Sequence, residues 1–261
     1  MSLEIIIKTC NGETLHGKNN DRFCKTDKKT LILKCINSIV CSASERKGDT
    51  KITVIDDASD VECINSIENI LKKSPHPYNI IVRKYRDYNE ATLQYFQLAK
   101  ESNKKLVYCV EDDYLHFPNA IRDMEAFYEY ASRQMNYTKD IVIHPFDDPD
   151  NYKTAHMQPC YLVQYENRHW RTNYYTTCTF FTTPNLVNRG WVHFENFANN
   201  YGKVRGINED STINKIWKHP QVQLFSPLPS LAQHMQFENN IDKLIDWKKL
   251  WNSVPEIDKC S

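Results

Sequence analysis

The chain has 261 residues, 41% hydrophobic and 12% aromatic, enough for a sizeable core in one large domain or two small ones. Its 33 basic and 33 acidic residues balance, so nothing draws it in general to nucleic acid or to an anionic membrane. Nine cysteines without a CxxC pair, several inside apolar runs, argue against a disulfide scaffold and for reduced thiols in a cytoplasmic protein.

The elements alternate along the first half. "LEIIIKTC" (3–10) reads as a strand, and 28–44 carries Leu31, Cys35, Ile36 and Ile39 at helical spacing. The basic stretch before it, Lys25 to Lys29, reads as a solvated helix start. "TKITVIDDASD" (50–60) is a strand ending in a turn, 61–73 a helix, "YNIIVRKY" (78–85) a strand and 89–102 a helix. "KLVYCV" is a strand whose nearly unbroken apolar run predicts burial on both faces. Residues 119–135 look helical, and "DIVIHPF" (140–146) is a further strand. Such alternation predicts an α/β fold with a mostly parallel sheet and helices on both faces. Ligands then bind beyond the carboxyl ends of the strands.

The second half changes character. Residues 147–206 are rich in Asn, Tyr, Thr, Trp and His, and "QYENRHWRTNYYTTCTFFTTP" (164–184) reads as short antiparallel strands. Residues 206–219 read as a helix with acids in its first turn. Residues 241–254 read as an amphipathic helix with Leu244, Ile245, Trp251 and Val254 toward the core. No flexible linker divides the chain, so the expectation is one domain over 1–261, with a nucleotide-binding half (1–125) and an acceptor half (126–261). There is no signal segment and no run of the roughly 20 apolar residues that span a bilayer.

Several chemistries lack their motifs. GxGxxG and the P-loop, which need glycine where backbone meets phosphate, do not occur. Neither do HExxH, paired Cys/His zinc patterns or a GxSxG nucleophile elbow. What the chain does have is "VYCVEDDYLHFP", an apolar strand that ends in Glu111, Asp112 and Asp113. Adjacent carboxylates repel, and a hard divalent cation such as Mn²⁺ or Mg²⁺ would cancel that repulsion. In an extended segment Asp112 and Asp113 face opposite ways and so have separate jobs. A second acidic strand end, "VIDDASD", lies on the same predicted sheet.

A strand ending "TCNG", then "VIDDASD", then "EDDYLHFP" resembles the GT-A glycosyltransferases, above all the large inverting family that includes cellulose and chitin synthases. The resemblance covers about residues 3–125 and returns at "NEDSTINKIW" and "PSLAQHMQ". It implies a Rossmann-like GT-A fold and a metal-dependent transferase with a UDP-sugar donor and a carbohydrate acceptor. By it, Thr9 and Asp57 contact the base, Asp112 lies by the ribose or diphosphate, and Asp113 ligates the metal, with His234 completing the metal shell. Asp210 would be the general base, kept ionised by a helix N-terminus, and Glu209 would bind a sugar hydroxyl. The motif reads Glu–Asp–Asp rather than Asp–x–Asp, which leaves Glu111 without a role. Arg83, Arg86 and Arg168 are candidates for phosphate, with Arg86 carried as the donor-site arginine. Trp170, Tyr174, Tyr175 and Trp191 are candidate sugar platforms. Two rivals stand beside this reading: a sugar-phosphate nucleotidyltransferase, whose Gly-rich loop "TCNGETLHGKNN" matches poorly, and a non-catalytic carbohydrate-binding protein.

Overall fold

The computed structural model describes residues 1–12, 23–152, 159–235 and 241–255. Most of "TCNGETLHGKNN" and the last residue of "PSLAQHMQ" lie outside them. The first half runs β1 (Leu3–Thr9), α1 (Lys28–Ser44), β2 (Thr50–Asp56), α2 (Val61–Leu71), β3 (Tyr78–Val82), α3 (Tyr88–Glu101) and β4 (Leu106–Glu111). The second half has strands β5 (Tyr114–His116), β6 (Asp140–Ile143), β7 (Leu162–Tyr165), β8 (Arg168–Asn173), β9 (Phe180–Thr182), β10 (Val222–Leu228) and β11 (Ala232–His234). Its helices are α4 (Ala120–Gln134), α5 (Pro184–Arg189), α6 (Trp191–Asn200), α7 (Asn214–Trp217) and α8 (Trp247–Ser253).

The main sheet has nine strands in the order β3-β2-β1-β4-β9-β6-β10-β8-β7, and β5 pairs with β11 in a separate two-stranded sheet. β3, β2, β1 and β4 are mutually parallel. β9 runs antiparallel between β4 and β6, and β6 and β10 are parallel. The carboxyl ends of β1, β2, β4, β6 and β10 therefore share one edge of the sheet. As predicted, the sheet is mixed but mostly parallel, with helices on both faces.

Side-chain alternation splits the core. Ile5, Ile7, Tyr108 and Val110 pack with α1, α2 and α4. Ile6, Val107 and Cys109 pack with α3, α5 and α6 on the other face. α1 begins where predicted because Asp27 caps it, accepting from Thr30 N at 2.8 Å. α8 lays Trp247, Trp251 and Val254 on Leu31, Cys35, Leu115 and Met235. Lys34 Nζ closes its last turn by donating to Trp251 O at 3.0 Å and Val254 O at 3.3 Å.

Two expectations in the second half need correction, over 206–219 and at Leu244. Residues 184–200, which follow the expected strands, form two helices. Thr183 caps α5, with Pro184 in its first turn and Leu186 N donating to Thr183 Oγ1 at 3.2 Å. The helix expected over 206–219 is mostly turns, leaving the four residues of α7. Asn208, Ser211 and Thr212 take the backbone's hydrogen bonds for themselves: Ser211 N donates to Asn208 Oδ1 at 2.9 Å and Thr212 Oγ1 to Asn208 O at 2.5 Å. Leu244 is 86% exposed and lies before α8, outside the core expected of it.

Candidate active site

The site is built where β1 and β4 end side by side. Asp112 sits 5% exposed on the α1 face. Its Oδ2 accepts from Thr9 Oγ1 and from Cys10 N, both at 2.9 Å. Its Oδ1 accepts from Lys28 Nζ at 2.7 Å. Lys28 is thus not part of a solvated helix start. The first turn of α1 carries its side chain onto Asp112, where 15% of it stays exposed.

Asp113 turns the other way, to His234. The antiparallel register of β5 and β11 pairs Tyr114 with His234, and Met235 N donates to Asp113 O at 2.8 Å. This short ladder brings His234 Nε2 to 3.2 Å from Asp113 Oδ2 across 121 positions of sequence. The imidazole stacks on Tyr114, ring centroids 4.8 Å apart and planes 12° from parallel. Burial opposes the charge on Asp113, but His234 and Lys28 more than offset it and hold the carboxyl well below the usual carboxylate range. Burial pulls the His234 pKa down, Asp113 pulls it up, and the net shift is upward.

Asp113 Oδ1 is buried and has no hydrogen-bond partner among the described residues. A carboxylate oxygen with unused lone pairs beside an imidazole nitrogen is a donor set that fits Mn²⁺ or Mg²⁺. No set of three or more His, Cys, Asp or Glu side chains converges among the described residues. The protein would supply two ligands and leave the remaining positions to water and substrate oxygen.

Glu111 faces α3. Its Oε1 lies 3.2 Å from Lys8 Nζ, and the two residues are register partners on β4 and β1. Lys8 is buried, 4.4 Å above the Tyr88 ring, with Thr92 Oγ1 at 3.3 Å and Cys178 Sγ at 3.9 Å. Burial disfavours its charge, yet Cys178, Tyr88 and Glu111 outweigh that and raise its pKa well above the ordinary lysine value. Burial also pushes the Cys178 thiol up to about 12. Neither Lys8 nor Lys28 is among the site residues expected from the sequence; the signal for Lys8 is a cation breaking the apolar run "EIIIK".

Asp57, at the end of β2, is 5% exposed. Its Oδ1 accepts from Arg83 Nη1 at 3.2 Å and from Asp87 N at 2.9 Å. Arg83 is therefore tied down, while Arg86 is exposed and lies flat over Gly12, its Nη2 3.4 Å from Ala58 O. Arg168 bonds Pro229 O on the β8 side. Ala58 takes φ 57°, the left-handed turn that lets Ser59 N reach Asp56 Oδ1 at 2.7 Å.

On the acceptor side Glu209 and Asp210 part company. Glu209 is half-buried, and after burial its charge is the next largest cause that raises the Tyr201 pKa. Asp210 is exposed, with Lys218 Nζ at 3.0 Å and Asn214 Nδ2 at 3.1 Å from its Oδ1. With α7 starting at Asn214, Asp210 does not stand at the helix N-terminus expected of it.

The aromatic platforms do not gather at the site. Trp170 is 1% exposed, stacked on Phe127 at 3.9 Å between centroids and 3° between planes, so neither of its faces is open to a sugar. Trp191 is half-buried, with Lys100 Nζ 4.3 Å from its ring centroid. Lys100 sits at the end of α3 away from the strands' carboxyl ends, so Trp191 is remote from Asp113. Tyr174 is half-buried beside Arg171 and Tyr175, on the loop after β8. The Tyr175 ring has Lys218 Nζ 4.7 Å from its centroid.

No protein-family model matches the sequence, and a search of curated proteins gives no match. Solved structures do match. GalNAc-T7 with UDP, GalNAc and Mn²⁺ aligns at a TM-score of 0.55 and 12% identity, over 94% of this chain and 46% of that one. TarS of S. aureus aligns at 0.52 and 11%, over 87% of this chain and 36% of that one. A shorter TarS structure, residues 1-349, also gives 0.52, over 60% of its length. The chain thus spans between about a third and two thirds of the structures it resembles. With the strand order, the flanking helices and the small two-stranded sheet, the likeness shows that this chain has the GT-A fold.

Proposed function

We propose that this protein is a metal-dependent glycosyltransferase. It would move a sugar from a nucleotide diphosphate sugar, a UDP-sugar foremost, to a hydroxyl of a carbohydrate acceptor, with inversion. The observation that carries the reading is the pairing of Asp113 Oδ2 with His234 at 3.2 Å, beside the buried Asp113 Oδ1, which has no partner among the described residues. Asp113 and His234 would hold Mn²⁺ or Mg²⁺, whose chemistry is to neutralise charge on the departing diphosphate. The Mn²⁺ and UDP of the similar GalNAc-T7 structure support the choice of ion and donor.

Residues 1–125 would bind donor and 126–261 acceptor, within one domain. Thr9 and Asp57 stand at the proposed base pocket, and Arg86, exposed over Gly12, at its rim. Inverting transfer needs one carboxylate to take the acceptor's proton. What supports Glu209 in that role is its half-burial and its charge near Tyr201. Asp210, exposed and paired with Lys218, would bind acceptor. Tyr174 is kept as an acceptor contact. A reducing, cytoplasmic location belongs to the same reading, supported by eight free cysteines among the described residues.

Calorimetry of UDP with Mn²⁺ and with EDTA tests the centre of the proposal. Binding should require the metal and should vanish in Asp113→Ala. Equal affinity with and without metal would sink it. UDP release from a UDP-sugar, rather than pyrophosphate release from UTP and a sugar phosphate, separates transferase from nucleotidyltransferase.

A further inference from the structure

We infer that Lys28 is a diphosphate-binding residue, a fixed ammonium that Asp112 anchors beside Asp113 and that gives the metal site a net pull on anions. The inference deepens the reading above and rests on it. Both oxygens of Asp112 are engaged, Oδ2 by Thr9 Oγ1 and Cys10 N at 2.9 Å and Oδ1 by Lys28 Nζ at 2.7 Å. A carboxylate so occupied serves as an anchor rather than as an open ligand. The buried oxygen without a partner among the described residues belongs to its neighbour, Asp113 Oδ1, and that is where a ligand fits.

Counting charge shows what the lysine adds. Asp112 and Asp113 contribute two negative charges, and a divalent cation on Asp113 would bring the sum to zero. A site that sums to zero offers an anion only its direct bond to the metal, with no further net attraction. Lys28 makes the sum positive by one, before any charge on His234, and a nucleoside diphosphate carries several negative charges. Burying an ion pair is costly, and hydrogen bonding alone does not call for one here, since an asparagine at 112 would satisfy Thr9 and Cys10 N. The ammonium carries three N–H donors, of which Asp112 Oδ1 takes one, and lysine is a common point-charge binder of phosphate. Lys28 also opens the 17-residue α1, whose N-terminal partial charge has the same sign.

The test compares UDP, UMP and uridine by calorimetry with Mn²⁺, and UDP with EDTA, in the native protein, Lys28→Met and Lys28→Arg. Lys28→Met should weaken UDP roughly 10- to 100-fold, the scale of a hydrogen bond to a charged group. It should weaken UMP less and leave uridine within about twofold, while Lys28→Arg keeps most of the affinity. Equal weakening of UDP and uridine, or no weakening at all, would overturn the inference. Should Lys28→Met fold poorly, the double variant Lys28→Met/Asp112→Asn removes both charges together. It should melt near the native temperature and still lose UDP selectively, and recovery of UDP affinity there would assign the effect to an unpaired Asp112 instead. If the native protein binds no UDP with Mn²⁺, the transferase reading falls and takes this inference with it. If the native protein binds UDP and Lys28→Met binds it equally well, the inference falls alone.

Discussion

Replacing Trp170 with alanine separates a core side chain from a sugar platform. Trp170 is 1% exposed, lies 3.9 Å from the Phe127 ring, and faces Pro227 and Val163 across its two neighbouring strands. Phe127 in turn meets Phe225 edge-on at 5.1 Å and 82°, so the indole holds α4 to the β8–β10 end of the sheet. Removing a buried tryptophan costs about 3–5 kcal/mol through lost burial and the cavity left behind. In a chain of this size that lowers the melting temperature by roughly 10 °C. Trp170→Phe should cost much less, because it keeps the ring stack and deletes an indole N–H that is buried without an acceptor. Urea denaturation gives the stability, and UDP titration in the cold gives the affinity, which should stay within about twofold because no donor contact is lost. A Trp170→Ala protein that is as stable as the native one but has lost sugar binding would refute the core assignment.

Two further predictions concern chemistry and pH. Glu209→Gln should cut transfer to acceptor by roughly 10² or more, the scale of a lost general base. Asp210→Asn should mainly raise the acceptor KM. A larger kcat loss in Asp210→Asn would return the base role to Asp210, read from UDP release at saturating acceptor. Burial drives His116 and His144 down to about 4. Between that value and the ordinary histidine pKa of about 6.5 the unfolded chain binds more protons, so stability falls as pH drops through this window. From pH 7 to about 5.5 each histidine should contribute a loss of about 1.2 kcal/mol. His116→Gln should lower that acid sensitivity by the same amount relative to the native protein, and an unchanged slope in urea titrations at the two pH values would contradict it.

Physical reasons decide which parts of this fold are legible in the sequence. The first half is local and periodic. The 28–44 helix has its cap in Asp27 and its apolar stripe in one window, and β4 announces its burial by composition. The second half is neither. Residues 184–200 become helical through a Thr183 cap and a packed pair, Phe194 and Phe197, directly after a stretch whose threonines and aromatics read as strand. Residues 206–213 carry the helix-like pattern, but their Asn, Ser and Thr side chains hold the backbone in turns. Within the site, Asp113 and His234 are each visible as candidates, while the contact between them depends on the β5–β11 register, which no local window contains. The role of Trp170 is invisible for a similar reason: an aromatic's composition does not tell which face of the sheet will be covered.

Three consecutive acids at a strand end repel one another, and the structure resolves this without sharing one counter-charge. Strand alternation sends Glu111 toward α3 and Asp112 toward α1, and the turn after β4 sends Asp113 to the two-stranded sheet. Each acid meets a base from a different segment: Lys8 of β1 at 3.2 Å, Lys28 of α1 at 2.7 Å and His234 of β11 at 3.2 Å. The pairs are unequal. Lys8 and Lys28 are cations whose carbon stems are buried, and Asp112 is further occupied by Thr9 and Cys10. His234 is a weaker counter-charge that can also be a neutral ligand, and its partner is the acid that keeps a buried oxygen free. The two lysines therefore remove Glu111 and Asp112 from competition for a cation. That leaves Asp113 as the acid of the run that the proposed metal would use, and the position where losing a single carboxylate should abolish metal-dependent UDP binding rather than merely weaken it.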